Sequence, residues 1–343
     1  MVPRGGFNVT RRVLVTGATS LIGRHVVEQL VGRGDEVRTL QRRPAARCDV
    51  DDRAGDIAVP EAVAAAVQGV DAIIHLAAKV GIVGKRSEFA RVNVDGTRNV
   101  LAAARLHGVS RLVHVSSPSV AHAGHPIIGD GAVPALDAVP QGNWYSGTKA
   151  VAERLVLSAN GPDLAVVAVR PHLVWGPGDT QLVGRIVERA GSGRLAIVGG
   201  GTALVDTTYI DNAADALVAA LDAVAPGARC AGRAYVIANG EPRPIRELVL
   251  GICHAAGRAP SMRDVPFQVA RRVGGLVERA WPYLGRTDEP PITRFLAEQL
   301  GTAHWFDPRP AQADLGWSPQ VSIDDGLARL ARWFDGTTAV RSR

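Results

Sequence analysis

Tyr145 and Lys149 are the residues of this chain whose types and spacing point most directly to chemistry. The 343 residues include 39 Lys and Arg, and only Lys79, Lys85 and Lys149 among them are lysines. Arg supplies plain positive charge almost everywhere. A Lys four residues after one of only four Tyr therefore suggests a position that needs a compact ammonium. On a helix that spacing puts both side chains on one face. A free phenol titrates near 10, and bringing it to about 7 takes ~4 kcal/mol of preference for the phenolate. A cation held close in a site poor in water supplies part of that. Such a pair can pass a proton to or from an alcohol or ketone oxygen. Chance spacing is the ordinary alternative, and the surrounding sequence has to decide.

The elements that would position the pair follow a regular alternation. Short apolar runs at 12–16, 36–40, 53–57, 72–76, 111–116 and 164–170 read as strands. Helical patterns at 23–32, 60–68, 88–106 and 146–158 separate them. Strands spaced by helices of this length require right-handed crossovers and a mostly parallel sheet. The expected fold class is α/β: a doubly wound, mostly parallel sheet with a smaller, partly interleaved C-terminal substrate-binding cap. The nucleotide domain is expected over 10–175 and 203–239, and the cap over 176–202 and 240–335.

Composition narrows the partners. The chain is 46% apolar and 21% charged, ordinary for a globular enzyme. Its net charge of +6 is spread among Asp and Glu without a block of like charges, which argues against a nucleic-acid partner. An anionic cofactor or substrate fits the diffuse excess. Cys48, Cys230 and Cys253 are odd in number and in no metal-type spacing, so no metal is expected. Reduced thiols, no secretory signal and no apolar run of membrane-spanning length lead to an expected cytoplasmic protein without an integral span.

Between the first strand and helix, the run Thr16-Gly17-Ala18-Thr19-Ser20-Leu21-Ile22-Gly23 is a glycine turn that would aim backbone N–H groups at a pyrophosphate. It resembles the Thr-Gly-x-x-Gly-x-x-Gly fingerprint of extended short-chain dehydrogenases, with Ser20 at the middle glycine. Gly17, Thr19, Ser20, Leu21, Ile22 and Gly23 are the expected phosphate contacts. After the second strand, NAD-preferring sites carry an acid for the ribose 2′-hydroxyl. This chain has Gln41-Arg42-Arg43 there. Arg can pair with a 2′-phosphate in a bidentate fork, so NADP(H) is favoured over NAD(H). Asp56 and Ile57, closing the third strand, are expected at the adenine edge. Leu76, Ala77 and Ala78 are expected along the ribose side. His75 reads as a packed strand-end residue rather than a catalyst.

Ser116 and Ser117 end the fifth strand and could hold a substrate oxygen beside the phenol. With these in place, the stretch from Arg12 to Phe334 resembles the extended short-chain dehydrogenase/reductase family and implies a Rossmann sheet. Carried over residue by residue, that resemblance makes Ser117, Tyr145 and Lys149 the catalytic triad. Tyr145 would transfer the proton, Lys149 would hold the nicotinamide ribose and lower the phenol's pKa, and Ser117 would orient the oxygen. The same resemblance makes Asn93 a helix-borne support of the cofactor region. Pro171, followed by His172, Leu173 and Val174, matches the loop over the carboxamide. A homodimer is also implied by resemblance.

Three runs are similar to one branch: Tyr145 to Glu153, Val169 to Asp179, and Val205 to Asn212. That branch contains 3β-hydroxysteroid dehydrogenases, sterol-4α-carboxylate 3-dehydrogenases and bacterial 2-alkyl-3-oxoalkanoate reductases. The missing acid after strand two looks more like the NADPH-using oxoalkanoate reductases. The expected activity is an NADP(H)-dependent oxidoreductase interconverting a secondary alcohol and a ketone on a bulky apolar substrate. A nucleotide-sugar 4-epimerase with the same triad and a non-catalytic NAD(P)-sensing protein are the alternatives. Between 265 and 284, Val269, Val273, Leu276, Val277, Trp281 and Leu284 fall near helical spacing. This helix would pack on the cap, lid a lipid pocket or make a peripheral membrane contact.

Overall fold

The computed structural model describes residues 11–44, 47–81, 83–122, 124–137, 143–281 and 290–341. Thr10 and Leu284 lie outside them. The chain begins β1 (Arg12–Thr16), α1 (Leu21–Gly32), β2 (Glu36–Gln41), β3 (Asp51–Ala54), α2 (Pro60–Val67) and β4 (Ala72–His75). A helical stretch in three parts follows: α3 (Arg86–Phe89), a π-helical segment (Ala90–Asp95) and α4 (Gly96–Leu106). Next come β5 (Arg111–Val115), a 3₁₀ turn (Pro118–Ala121), β6 (Ile127–Asp130), α5 (Trp144–Ser158) and β7 (Ala165–Pro171). The second half opens with β8 (Val174–Trp175), α6 (Val183–Gly191), β9 (Ala196–Val198) and β10 (Leu204–Val205). It continues with β11 (Thr208–Tyr209), α7 (Ile210–Ala223), β12 (Arg233–Ile237), β13 (Arg243–Pro244) and α8 (Ile245–Ala255). Last are β14 (Arg263–Val265), α9 (Phe267–Ala280), α10 (Arg294–Gly301), β15 (His304–Phe306), α11 (Arg309–Leu315) and α12 (Ile323–Arg341).

Seven strands form the central sheet in the order β12-β7-β5-β4-β1-β2-β3, and every neighbouring pair is parallel. Alternate residues point to opposite faces, so strands covered on both sides must be apolar throughout. Val13, Val113 and Val167 pack on one face against Leu30 of α1 and Leu217 of α7. Leu14, Ile73 and Leu112 pack on the other against Val63, Val100 and Val156 of α2, α4 and α5. The strand order reverses between β1 and β4, where doubly wound sheets open a crevice at the carboxyl ends of their strands. A smaller cap adds a four-stranded sheet, β13-β10-β15-β6, and its own core of Trp175, Tyr209, Ile252 and Leu330. Among the described residues, no helix is long and apolar enough to cross a membrane.

Three elements depart from the sequence expectation. The third strand is Asp51–Ala54, not 53–57, so Asp56 and Ile57 lie in the turn after it. This edge strand is held by polar side chains: Arg38 to Asp51, and Thr39 and Gln41 to Asp52. No apolar alternation marks such a strand. Ile57 supplied the misleading signal; it is buried because it packs tightly on Gly96. The helix expected over 88–106 is broken by the π-helical segment that contains Asn93. Finally, α9 packs on α10 through Ala270 and Gly274, where a Cβ on Gly274 would stand 2.5 Å from the Thr293 carbonyl carbon. Val269, Val273 and Leu276 consequently face outward, with Leu276 65% exposed.

Candidate active site

The phosphate turn is built from close approaches that exclude side chains. Gly17 has φ 74°, and a Cβ there would stand 2.8 Å from the Ala77 nitrogen. A Cβ on Gly23 would stand 2.5 Å from the Gly17 carbonyl oxygen. Gly17 lets the turn and the loop after β4 meet without a gap, and Gly23 lets α1 start directly against the turn. Ser20 is the N-cap of α1, and its Oγ accepts from the Gly23 N–H at 3.1 Å. That bond takes one N–H that a glycine would leave open, while the hydroxyl hydrogen of this exposed side chain stays available to a ligand. The turn still places the positive end of α1 at the crevice beside Thr19, Leu21 and Ile22, which fits a dinucleotide pyrophosphate.

At the end of β2, Gln41 turns inward. Its amide donates to the Asp52 carboxylate and to Thr39 Oγ1 at 3.2 Å, and the side chain is buried. Gln41 is therefore tied to the sheet edge instead of facing a ribose. Arg42 and Arg43 are exposed beyond it. Asp56 accepts from the Ala58 N–H at 3.0 Å and from Arg91 at 2.9 Å. Burial works to raise its carboxyl, but these bonds and the charges of Arg91 and Arg42 hold it below the ordinary value.

A polar chain ties the loop after β4 to both flanking helices. The Ala77 N–H donates to Thr16 Oγ1 at 3.1 Å, and that hydroxyl meets His75 Nδ1 at 2.7 Å. His75 Nε2 meets Thr97 Oγ1 at 3.0 Å, and Thr97 donates to the Asn93 carbonyl at 2.7 Å. Burial pushes His75 down to about 3, so it is a neutral structural link. The widened π turn swings the Asn93 side chain to the same loop. Its Oδ1 accepts from the Lys79 N–H at 2.7 Å, and its Nδ2 donates to Lys79 O at 3.1 Å and Thr148 Oγ1 at 2.9 Å. Asn93 thereby fastens the loop carrying Leu76, Ala77 and Ala78 to α5.

Tyr145 sits in the first turn of α5, whose N-cap is Asn143, accepting from the Ser146 N–H at 3.1 Å. Ser117 caps the 3₁₀ turn after β5 and is hydrogen-bonded to the phenol of Tyr145. The structure thus brings Ser117, and not the fully buried Ser116, to Tyr145. Burial raises the phenol above its ordinary value, while the Ser117 bond pulls it down. This corrects the expected lowering by Lys149, because the ammonium is turned toward β5. Lys149 Nζ donates to Val115 O at 2.6 Å and lies 3.3 Å from His114 Nε2. Lys149 is only 3% exposed; desolvation pushes it down to about 8, against the pull of Glu153 one turn further along. Glu153 is paired with Arg170 of β7, Nε to Oε2 at 2.8 Å, with both side chains buried. His114, Glu153 and Arg170 are site residues that the sequence reading missed. The signal was there: a His in an apolar strand, and an acid exactly one helical turn beyond Lys149.

Pro171 ends β7, and Leu173 follows with φ 41°, a left-handed backbone that costs a branched residue ~1–2 kcal/mol. His172 Nδ1 and Thr208 Oγ1 pin this loop to Asp206 O and His172 O. In the cap, a cleft of about 690 Å³ opens between α6, α9 and α10, with Val198, Val269, Val273, Leu296 and Leu300 among its walls. Among the described residues, no group of three or more His, Cys, Asp or Glu is placed to hold a metal ion.

The seven-stranded parallel sheet agrees with what comparison of the chain with known proteins finds. Residues 14–266 match the 3-beta hydroxysteroid dehydrogenase/isomerase family. The chain belongs to this family. It is similar to the 2-alkyl-3-oxoalkanoate reductase of Stenotrophomonas maltophilia, 50% identical over 327 residues that cover 93% of this chain and 98% of the relative. The 2-alkyl-3-oxoalkanoate reductase of Shewanella oneidensis is 38% identical over 331 residues, covering 92% of this chain and 84% of the relative. A solved structure, MoeE5 in complex with UDP-glucose and NAD, is similar with a TM-score of 0.72 and 26% identity, over 95% of this chain and 99% of that one. As a member of the 3-beta hydroxysteroid dehydrogenase/isomerase family, the chain is an NAD(P)-dependent oxidoreductase acting on hydroxyl or keto groups.

Proposed function

We propose that the protein is an NADPH-dependent ketoreductase whose substrate is a 2-alkyl-3-oxo acid. The observation that carries this reading is the 50% identity, over nearly the full length of both chains, to a protein named as a reductase of that substrate class. The cleft of the cap supports an acid with alkyl chains, since its wall of valines and leucines is edged by Arg185, Arg189 and Arg194. When bound, the nicotinamide supplies the hydride; Tyr145 gives its proton to the substrate oxygen, Ser117 orients that oxygen, and Lys149 carries its positive charge one turn along the same helix. The NADPH preference rests on Arg42 and Arg43, exposed where an acid would stand in an NAD site. The protein is taken as a cytoplasmic homodimer. The outward Val269, Val273 and Leu276 stripe supports a peripheral contact with a lipid interface.

Purified protein with NADPH or NADH, followed at the nicotinamide absorbance, tests the reading against 2-alkyl-3-oxo acids, steroid ketones and UDP-sugars. Net oxidation of NADPH with the oxo acids is expected. Isomerisation of a UDP-sugar without net cofactor change would instead favour the nucleotide-sugar reading, which the likeness to MoeE5, a structure that holds UDP-glucose and NAD, keeps in view. Arg42→Asp removes a charge-assisted pair with the 2′-phosphate and should move the NADPH-to-NADH ratio of kcat/KM toward NADH by at least about tenfold. An unchanged ratio would mean that Arg42 does not touch the ribose.

A further inference from the structure

His114 occupies a place where an apolar residue would be cheaper. It alternates with Leu112 on the face of β5 that packs under α4 and α5, and it is fully buried. Its Nδ1 has no hydrogen-bond partner. A buried imidazole with one unmet nitrogen is destabilising unless the other nitrogen makes a strong bond. That other nitrogen, Nε2, lies 3.3 Å from Lys149 Nζ. An ammonium only donates, so Nε2 must accept and the ring proton sits on Nδ1. His114 is therefore a neutral acceptor. The ring of His75 stands 5.4 Å away, itself neutral between Thr16 and Thr97.

Lys149 has three N–H groups. Val115 O takes one at 2.6 Å, and His114 takes a second. With two directions of the tetrahedral ammonium fixed by the strand, the third is fixed as well. We propose that His114 is a positioning residue for the proton-transfer pair, holding the Lys149 ammonium by Nε2 so that its remaining N–H is left for the Tyr145 side of the helix. Val115 O alone would let the group rotate about one bond. This inference rests on Tyr145 and Lys149 acting as the proton-transfer pair.

The chain's three lysines make the test direct. Protein labelled with ¹³C at lysine Cε gives three resonances, and Lys149 is assigned by its loss in Lys149→Arg. In the cofactor-free wild type its signal should titrate near 8. An acceptor stabilises the charged form, so losing it in His114→Leu should lower that midpoint by about one pH unit. His114→Gln keeps an acceptor at the Nε2 distance and should restore the midpoint. His114→Asn places its amide where Nδ1 stood and should behave as Leu, which covers the case in which the Leu variant does not fold. In turnover, the Leu and Asn variants should lose about tenfold in kcat with the ketone KM within about twofold, and the alkaline limb of kcat should move down with the lysine midpoint. A Lys149 midpoint in folded His114→Asn that stays within about 0.3 units of wild type, or a kcat limb that ignores a shifted midpoint, overturns the proposal. A wild type inactive on every ketone would count against the ketoreductase reading instead, because the apo titration needs no substrate.

Discussion

Tyr145→Phe is expected to lower kcat for ketone reduction by about 10²–10⁴, the usual worth of a positioned general acid. Affinity for the nicotinamide cofactor should change by no more than about twofold, because the ring and its packing remain. The expectation follows from where the phenol sits. Burial raises its pKa, so at neutral pH the resting group carries its proton. That state suits donation to a ketone oxygen. Ser117, hydrogen-bonded to the phenol, works in the other direction by stabilising the phenolate that donation leaves. Ser117→Ala should therefore cost less than loss of the phenol itself. Fluorescence titration with the cofactor and steady-state turnover give the two readings. A Phe variant that keeps more than about a tenth of wild-type kcat would remove Tyr145 from the proton path.

The sheet was readable because its strands obey the pattern that burial on both faces imposes. β1, β4, β5 and β7 are dominated by buried apolar residues, and each lies within a residue or so of its expected bounds. β3 was not readable in the same way. Its order comes from Arg38, Thr39 and Gln41 reaching across to two acids, and such bonds leave no periodic trace. The pairing of Tyr145 with Lys149 could be read from residue type and spacing, since the two are neighbours along one helix, whereas Ser117 came from the resemblance. What Lys149 touches was not legible. Its partners, Val115 O and His114, come from a strand 34 and 35 residues away in sequence. Ser20 shows the same limit at shorter range: its identity was read, but the bond its hydroxyl accepts from Gly23 depends on the helix it caps. The packing face of α9 was not legible for a third reason. Apolar spacing marks a face, and close backbone approach at Gly274 outweighed it.

The buried histidines lead to the second large effect, a steep loss of stability in mild acid. His75, His172 and His304 are pushed down to about 3, about 4 and about 3, each chiefly by desolvation. Unfolded, each would titrate near 6.5. Between those limits the unfolded chain binds protons that the folded chain refuses, so stability is full above pH 6.5 and falls as pH falls. Asp206 works the other way. Burial raises it to about 6, so from pH 6 to about 4 the folded state holds a proton that the unfolded state does not. Asp215 and Glu278, also raised by burial, act in the same direction as Asp206. Carboxylates held low by Arg, such as Asp222, lose their contribution only nearer pH 4. Four histidines, with the buried His114 counted, against Asp206, Asp215 and Glu278 leave a net difference of about two to three protons, or about 3–4 kcal/mol per pH unit between pH 6 and 5. Set against a typical domain stability of about 5–15 kcal/mol, that slope removes about 7–8 kcal/mol between pH 6.5 and 4, enough to unfold a domain at the lower end of the range and to halve the stability of one at the upper end. Urea unfolding followed by circular dichroism at pH 7, 6 and 5 measures the slope. Potentiometry of the unfolding reaction at pH 5 should show uptake of about two to three protons per chain. A slope below about 1 kcal/mol per unit would mean that these imidazoles charge inside the folded protein, and the dry contact of His172 and His304 at 6.2 Å would have to open to allow it.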